Sequence, residues 1–376
     1  HGLPVRPAIH GQARDDVFPH MSTRRHLPAR RVAAILSGTM TPAIFGLSGT
    51  ALSADERAFF HEADPAGYIV FGRNVESRAQ LRALTDDLRA IQGRDQLLIT
   101  IDQEGGRVQR MKPPEWPAYP AGAVFDRLYD LAPASAIEAA RVNAQAMGID
   151  LAEVGITCTH APVLDVRQAD ANDVIGDRAY GHEPMRVAAL GRAVLDGLAR
   201  AGVQGTIKHM PGHGRTMCDT HQAMPTVTAS AAELEADLAP FKALRHAAIG
   251  MTGHLLFTAW DPDHAATQSK FVVEQVIRGA IGFDGLLLTD DLDMEALSGT
   301  VPERAERAIA AGCDVALNCW AKMDDMAGIC ARLPALTAAG QVRLERALAG
   351  MGLDSEQADQ AELLAKRDAL LELAAA

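Results

Sequence analysis

Short apolar runs recur at residues 43–46, 67–71, 96–101, 156–164, 203–208, 250–256, 285–289 and 315–319, separated by segments of helical period. Runs that are apolar at consecutive rather than alternate positions fit strands buried on both faces, as in parallel sheets. A Ser or Thr stands three residues before Glu or Gln at Ser53/Glu56, Ser77/Gln80, Ser135/Glu138, Ser230/Glu233 and Thr300/Glu303. That spacing predicts capping boxes opening five of the intervening helices. Eight β/α units in series predict an α/β fold, a single (β/α)8 TIM-type barrel, with a doubly wound open sheet as the other arrangement. Residues 40–350 supply the barrel. Residues 1–39, rich in Arg, His and Pro, read as a flexible N-terminal extension. Residues 351–376 read as a helical segment packed on the barrel, with one or two terminal helices beginning near residue 341.

Polar residues gather where these runs end. The third leads into Asp102-Gln103-Glu104-Gly105-Gly106-Arg107-Val108-Gln109-Arg110, the fourth to Asp165 and then Asp177-Arg178, the fifth to Lys208-His209, the sixth to His254 and the seventh to Asp290-Asp291. In a parallel barrel the carboxyl ends of all strands face one rim, so these side chains are expected to converge on one pocket suited to a hydroxylated ligand. The densest stretch is Lys208-His209-Met210-Pro211-Gly212-His213-Gly214, followed by Asp219-Thr220-His221.

Composition narrows the class. A net charge of −12 over 376 residues argues against a nucleic-acid surface, and no run reaches the length of a membrane span. The five cysteines lack CxxC spacing, which predicts free thiols in a reducing, cytoplasmic setting. A rival reading takes Arg30-Arg31 and the apolar 32–49 as a secretion signal. Thr41-Pro42 and three glycines interrupt that segment, and 43–47 is needed as the first strand. A monomer without cofactor, metal, nucleic-acid or membrane partner is expected.

The chemistry follows from residue type. Asp290, delivered by an apolar strand, is placed to act as a rigid nucleophile, and Asp219 with His221 forms a candidate dyad in which the carboxylate orients the imidazole. Asp102, Arg110, Arg178, Lys208 and His209 are candidates to grip hydroxyls or an acidic substituent. His254 joins them, a buried carbonyl being its alternative partner. Asp291 reads as structural, His213 as a loop brace, Arg73-Asn74 as closing the rim, and Glu104 as a turn residue bonded to backbone. A metal-dependent hydrolase using His209, His213, Asp219 and His221 is a second reading, weakened by the lack of HxxxH spacing. A non-hydrolytic sugar-binding sensor is a third.

At these residues the chain resembles the family 3 glycoside hydrolases, specifically the single-domain bacterial β-N-acetylglucosaminidases that recycle cell-wall muropeptides. The match rests on Gly67-Tyr68-Ile69-Val70-Phe71-Gly72-Arg73-Asn74, the 102–110 block, Val174-Ile175-Gly176-Asp177-Arg178, Lys208-His209-x-Pro-Gly-His-Gly with Asp219-x-His221, and Thr289-Asp290-Asp291-Leu292-x-Met294. Thr220, Gly253 and Met210 depart from the usual pattern without touching a proposed catalytic atom. The resemblance implies that Asp290 forms a covalent glycosyl-enzyme. It implies that His221, paired with Asp219, is acid and then base. Asp102, Arg110, Arg178, Lys208 and His209 would hold a terminal N-acetylglucosamine of muropeptide fragments. Larger members of the family use a carboxylic acid from a second domain as proton donor, so the histidine-donor branch is expected here. A phosphorylase or β-glucosidase on the same barrel is the alternative within the enzyme class.

Overall fold

The computed structural model describes residues 40–169, 171, 173–216, 224–352 and 358–374. Eight parallel strands close a barrel: β1 Thr41–Gly46, β2 Pro65–Val70, β3 Leu98–Ile101, β4 Cys158–Thr159, β5 Gln204–Met210, β6 Ile249–Thr252, β7 Leu286–Asp291 and β8 Val315–Asn318. Closure is direct, because β1 pairs with β8 in the register Ala43↔Ala316 and Ile44↔Leu317. An open sheet would leave both edges unpaired, so the doubly wound arrangement is excluded. Every expected strand is present. The fourth is shorter than its apolar run: regular pairing ends at Thr159 and Pro162 has no N–H to donate, while the Ala161 and Pro162 carbonyls still accept from β5 and the bridge Val163↔Lys208 follows. The sixth run is split: Ile249–Thr252 joins the barrel, while Leu256–Phe257 pairs with Thr226–Val227 in a small parallel sheet at the rim.

Helix starts follow the capping chemistry at most places. Ser53 and Ser230 each accept from the N–H three residues on, while Glu56 and Glu233 return a bond to the cap backbone. At Thr300 the Glu303 carboxylate accepts from the cap N–H at 2.9 Å. Ser77 caps its helix, but the Gln80 side chain bonds Glu76 N and Thr50 O instead. The box expected at Ser135/Glu138 is absent. Proline starts that helix two residues earlier, at Pro133, so Ser135 lies inside it and Glu138 pairs with Arg141 and Lys366.

Inside the barrel Ile44, Ile69, Leu98, Ile249, Leu286, Leu288, Val315 and Leu317 form one apolar cluster. Fully burying such a side chain is worth roughly 1.5–3 kcal/mol. Helix Ala338–Ala349 does not lie beside the barrel. Its Leu344 and Ala347 enter the same interior cluster, and Arg343 bonds Asp314 at 3.0 Å just before β8. It therefore plugs the amino-terminal mouth and leaves the carboxyl-terminal mouth open for chemistry. The last helix, Gln360–Leu371, packs on Pro133–Glu153 through Arg367–Asn143 (3.2 Å) and Gln360–Ala146 (3.0 Å). Cys158, Cys313 and Cys319 are free and buried, Cys330 is buried, and no described helix is long and apolar enough to cross a membrane.

Candidate active site

The carboxyl-terminal mouth holds a cavity of about 480 Å³ with Met251, Leu317, Cys319 and Phe71 as its apolar lining. Its polar wall is supplied by strand ends far apart in sequence: Asp102 and Glu104 after β3, Arg178 after β4, Lys208 and His209 on β5, Asp290 and Asp291 on β7. The volume lies within the range of small-molecule sites.

The loop after β3 is folded by its glycines. Gly105 has φ 100° and Gly106 φ 57°, and a Cβ on Gly105 would lie 2.3 Å from the Pro120 carbonyl oxygen. The turn brings the chain back so that Gln103 Oε1 accepts from the N–H groups of Arg110 (2.8 Å) and Met111 (3.1 Å). Asp102 and Glu104 then meet three cations. Lys208 Nζ is 2.7 Å from Glu104 Oε1 and 3.2 Å from Asp102 Oδ1, while Arg110 Nη2 is 3.3 Å from Asp102 Oδ2. Arg178 grips Glu104 with two parallel bonds of 2.8 Å. The reading of Glu104 as a turn residue bonded to backbone through its carboxylate is thereby corrected: it is the buried centre of the cationic lattice. Burial alone would raise both carboxyls. For Glu104 the neighbouring Arg178 and Lys208 outweigh burial and hold it down at about 2, and Lys208, His160 and Arg110 hold Asp102 well below the usual carboxylate range. Lys208 is pushed up in return, since Glu104 and Asp102 outweigh its own burial.

His209 is aimed by Asp165, a fully buried carboxylate after β4. Asp165 Oδ2 accepts from His209 Nδ1 at 2.7 Å, and Oδ1 accepts from the N–H groups of His209 (3.1 Å) and His213 (2.7 Å). Fixing Nδ1 as the donor leaves Nε2 of His209 for the cavity. The peptide bonds Lys208–His209 and Met210–Pro211 are cis. His213 reaches the cavity wall while Thr216 holds its Nδ1 at 3.0 Å. Arg107 ties the rim together, donating to Asp177 Oδ1 (3.0 Å) and the Asp173 carbonyl (2.7 Å). Arg73 and Asn74 bond the Leu47 carbonyl, and Arg73 also bonds that of Cys319, closing the rim between β1, β2 and β8.

Asp290 and Asp291 are neighbours with opposite electrostatics. Burial would raise Asp290, but His209, His254, the Asp291 N–H and Lys208 together hold it below the ordinary range. The Asp291 N–H donates to Asp290 Oδ1 at 2.8 Å. Asp291 is pushed up to about 8, first by burial and then by the Asp293 carboxylate. Its Oδ1 is occupied by the N–H groups of Asp293 (3.1 Å) and Cys319 (3.3 Å). His254 does not join the cavity wall. Its Nε2–H donates to the Asp291 carbonyl at 2.9 Å, which leaves Nδ1 to accept from Thr267 at 2.8 Å, so both ring nitrogens are spent inside the protein. His254 is corrected from a sugar ligand to a residue that positions the β7 end.

Asp219 and His221, the expected dyad, lie outside the described residues, as does Cys218. Among the described residues no group of three or more His, Cys, Asp or Glu side chains is arranged to hold a metal ion.

Two buried imidazoles carry a stability prediction. Burial pushes His160 and His213 from 6.5 down to about 4. The unfolded chain then takes up the proton first, so their contribution is full above about 6.5 and is lost as pH falls toward 4. Asp291 has the opposite sign, because a carboxyl raised to about 8 loses stability as pH rises toward that value. A difference isolates the histidine effect. Relative to the wild type, His160→Phe should gain denaturant resistance steadily between pH 6.5 and 4.5, and a pH-independent difference would contradict this account.

Residues 36–348 match the glycosyl hydrolase family 3 N terminal domain. A beta-hexosaminidase of Alkalilimnicola ehrlichii is 40% identical over 283 residues, covering 74% of this chain and 80% of that protein. One of Chromobacterium violaceum is 37% identical over 332 residues, covering 87% and 91%. The crystal structure of NagZ from Neisseria gonorrhoeae in complex with N-trifluoroacetyl-D-glucosamine superposes with TM-score 0.79 at 29% identity, covering 89% of this chain and 98% of that one. The chain belongs to glycosyl hydrolase family 3, as a barrel glycoside hydrolase of the β-N-acetylhexosaminidase type.

Proposed function

We propose that this enzyme is a retaining exo-β-N-acetylglucosaminidase that removes terminal N-acetylglucosamine from cell-wall muropeptide fragments. The observation that carries the reading is the pairing, across one cavity, of an ionised Asp290 with a lattice of Asp102, Glu104, Arg110, Arg178 and Lys208 whose centre, Glu104 and Lys208, is buried. In the barrel ring β3 stands opposite β7. A sugar whose distal hydroxyls are gripped on the β3 side presents its anomeric carbon toward Asp290.

The first step has Asp290 attack that carbon while the leaving oxygen receives a proton, forming a glycosyl-aspartate. Water deprotonated by the same acid–base group then attacks the anomeric carbon, breaking its bond to the aspartate oxygen and returning the free carboxylate. His209 Nε2, Lys208 and Arg110 bind hydroxyls that gain polarity in the oxocarbenium-like transition state. His221, oriented by Asp219, is the acid and then the base, a loop-borne imidazole replacing the second carboxyl group of most retaining enzymes. The reading also draws on the beta-hexosaminidase relatives and on the N-acylglucosamine bound by the gonococcal structure.

Two measurements test it. The first-formed sugar, followed by NMR during hydrolysis of an aryl β-N-acetylglucosaminide, should be the β anomer, and release of the α anomer would overturn retention. His221→Ala should lower kcat/KM roughly 10²–10⁴-fold on poor leaving groups but far less on activated aryl glycosides, which need little protonation. Equal losses on both would remove His221 from the acid role.

A further inference from the structure

Past the nucleophile's strand the rim carries a residue that the sugar clamp does not use. Cys319 lines the cavity, and the next residue, Trp320, is 62% exposed. A solvent-facing indole forgoes the burial that ordinarily makes tryptophan stabilising. The other two tryptophans are placed differently, Trp116 buried and Trp260 half-buried. The backbone around Trp320 is also unusual. Ala321 has φ 55°, a left-handed conformation disfavoured for a residue with a Cβ, and unlike Asp64 (φ 39°) it caps no helix. The segment is nonetheless firmly tied. Asp293 Oδ2 accepts from Asn318 Nδ2 (2.7 Å) and from the N–H groups of Cys319 (3.2 Å) and Trp320 (3.4 Å), and Arg73 holds the Cys319 carbonyl. An exposed aromatic held by strained backbone to the loop that follows the nucleophile is a feature for which folding alone gives no reason.

Topology gives the reason. In the closed ring β3 lies opposite β7 and β4 opposite β8. If Asp102, Glu104 and Arg178 grip the far edge of the terminal sugar and its anomeric carbon faces Asp290, the leaving group extends across the opposite side of the mouth, where β8 ends. We infer that Trp320 is the platform on which the pyranose ring of the leaving group stacks, making this rim a subsite for a second sugar rather than for an alkyl or peptide group. A pyranose offers an apolar face of C–H bonds, and an indole offers the broad apolar surface that matches it. The inference rests on the glycosidase reading of Asp290.

The test compares kcat/KM for N,N′-diacetylchitobiose, whose leaving group is a sugar, with methyl β-N-acetylglucosaminide, whose leaving group has no ring. In Trp320→Ala the ratio of disaccharide to methyl glycoside should fall roughly tenfold, the factor that about 1.4 kcal/mol represents. The change should sit in KM, and Trp320→Phe should restore most of it. Proportional losses on both substrates would overturn the platform. If the wild type cleaves neither, the glycosidase reading fails, and the platform is judged separately by fluorescence: the disaccharide must shift the emission of the wild type and not that of Trp320→Phe. Absence of that shift overturns it.

Discussion

Asp290→Ala is expected to lower kcat by at least ~10⁴-fold, the scale on which removal of a covalent nucleophile acts. A fluorinated N-acetylglucosaminide whose glycosyl-enzyme hydrolyses slowly should label one peptide, at Asp290 and not at its neighbour. The distinction is physical. Only an ionised carboxylate attacks, and Asp290 is held ionised by the imidazoles, the lysine and the backbone N–H around it. Asp291 is pushed toward its neutral form by burial and by the Asp293 carboxylate, and its Oδ1 is already committed to two backbone donors. Mass mapping of the labelled peptide decides the matter, and a label on any residue other than Asp290 would refute the mechanism. Asp291→Asn, which mimics the protonated side chain, should lose far less activity than Asp290→Asn.

The barrel was legible because parallel strands buried on both faces write themselves as uninterrupted apolar runs, and because Ser53, Ser230 and Thr300 open helices by chemistry local to a single turn. What failed was non-local or depended on small geometric competition. Pro133 starts a helix before Ser135 can cap it, and regular pairing of the fourth strand ends at Thr159, before Pro162. At the site, charge and strand-end position were enough to nominate Asp102, Arg110, Arg178, Lys208, His209 and Asp290, and all of them line one cavity. Partner identity was not legible. Glu104 meets Arg178 across 74 positions, and Asp165 aims His209 across 44. Asp165 ends an apolar run just as Asp290 does, so its burial had a signal in the sequence, but its partner did not. His254 shares that strand-end position, yet the Thr267 hydroxyl and the Asp291 carbonyl claim both its nitrogens.

The lattice around Glu104 carries the second large prediction. Its carboxylate is almost wholly buried, held by two bonds from Arg178 and one contact from Lys208. Removing it leaves Arg178 without its carboxylate and Lys208 with only the 3.2 Å contact to Asp102, both largely withdrawn from water. Glu104→Ala should therefore cost about 3–5 kcal/mol of unfolding free energy, as breaking a buried pair does. It should also raise KM by roughly tenfold or more, because Lys208 and Arg178 lose the anchor that aims them. The pH dependence follows from sign. Glu104 is lowered from 4.5 to about 2, so its stabilisation is complete above 4.5 and disappears as pH falls toward 2. The gap between wild type and Glu104→Ala should accordingly be constant from neutral pH down to about 4.5 and narrow below it. Denaturant titrations at pH 7, 4.5 and 3 measure that gap. A small, pH-independent gap with unaltered KM would show that Arg178 and Lys208 keep their positions without Glu104.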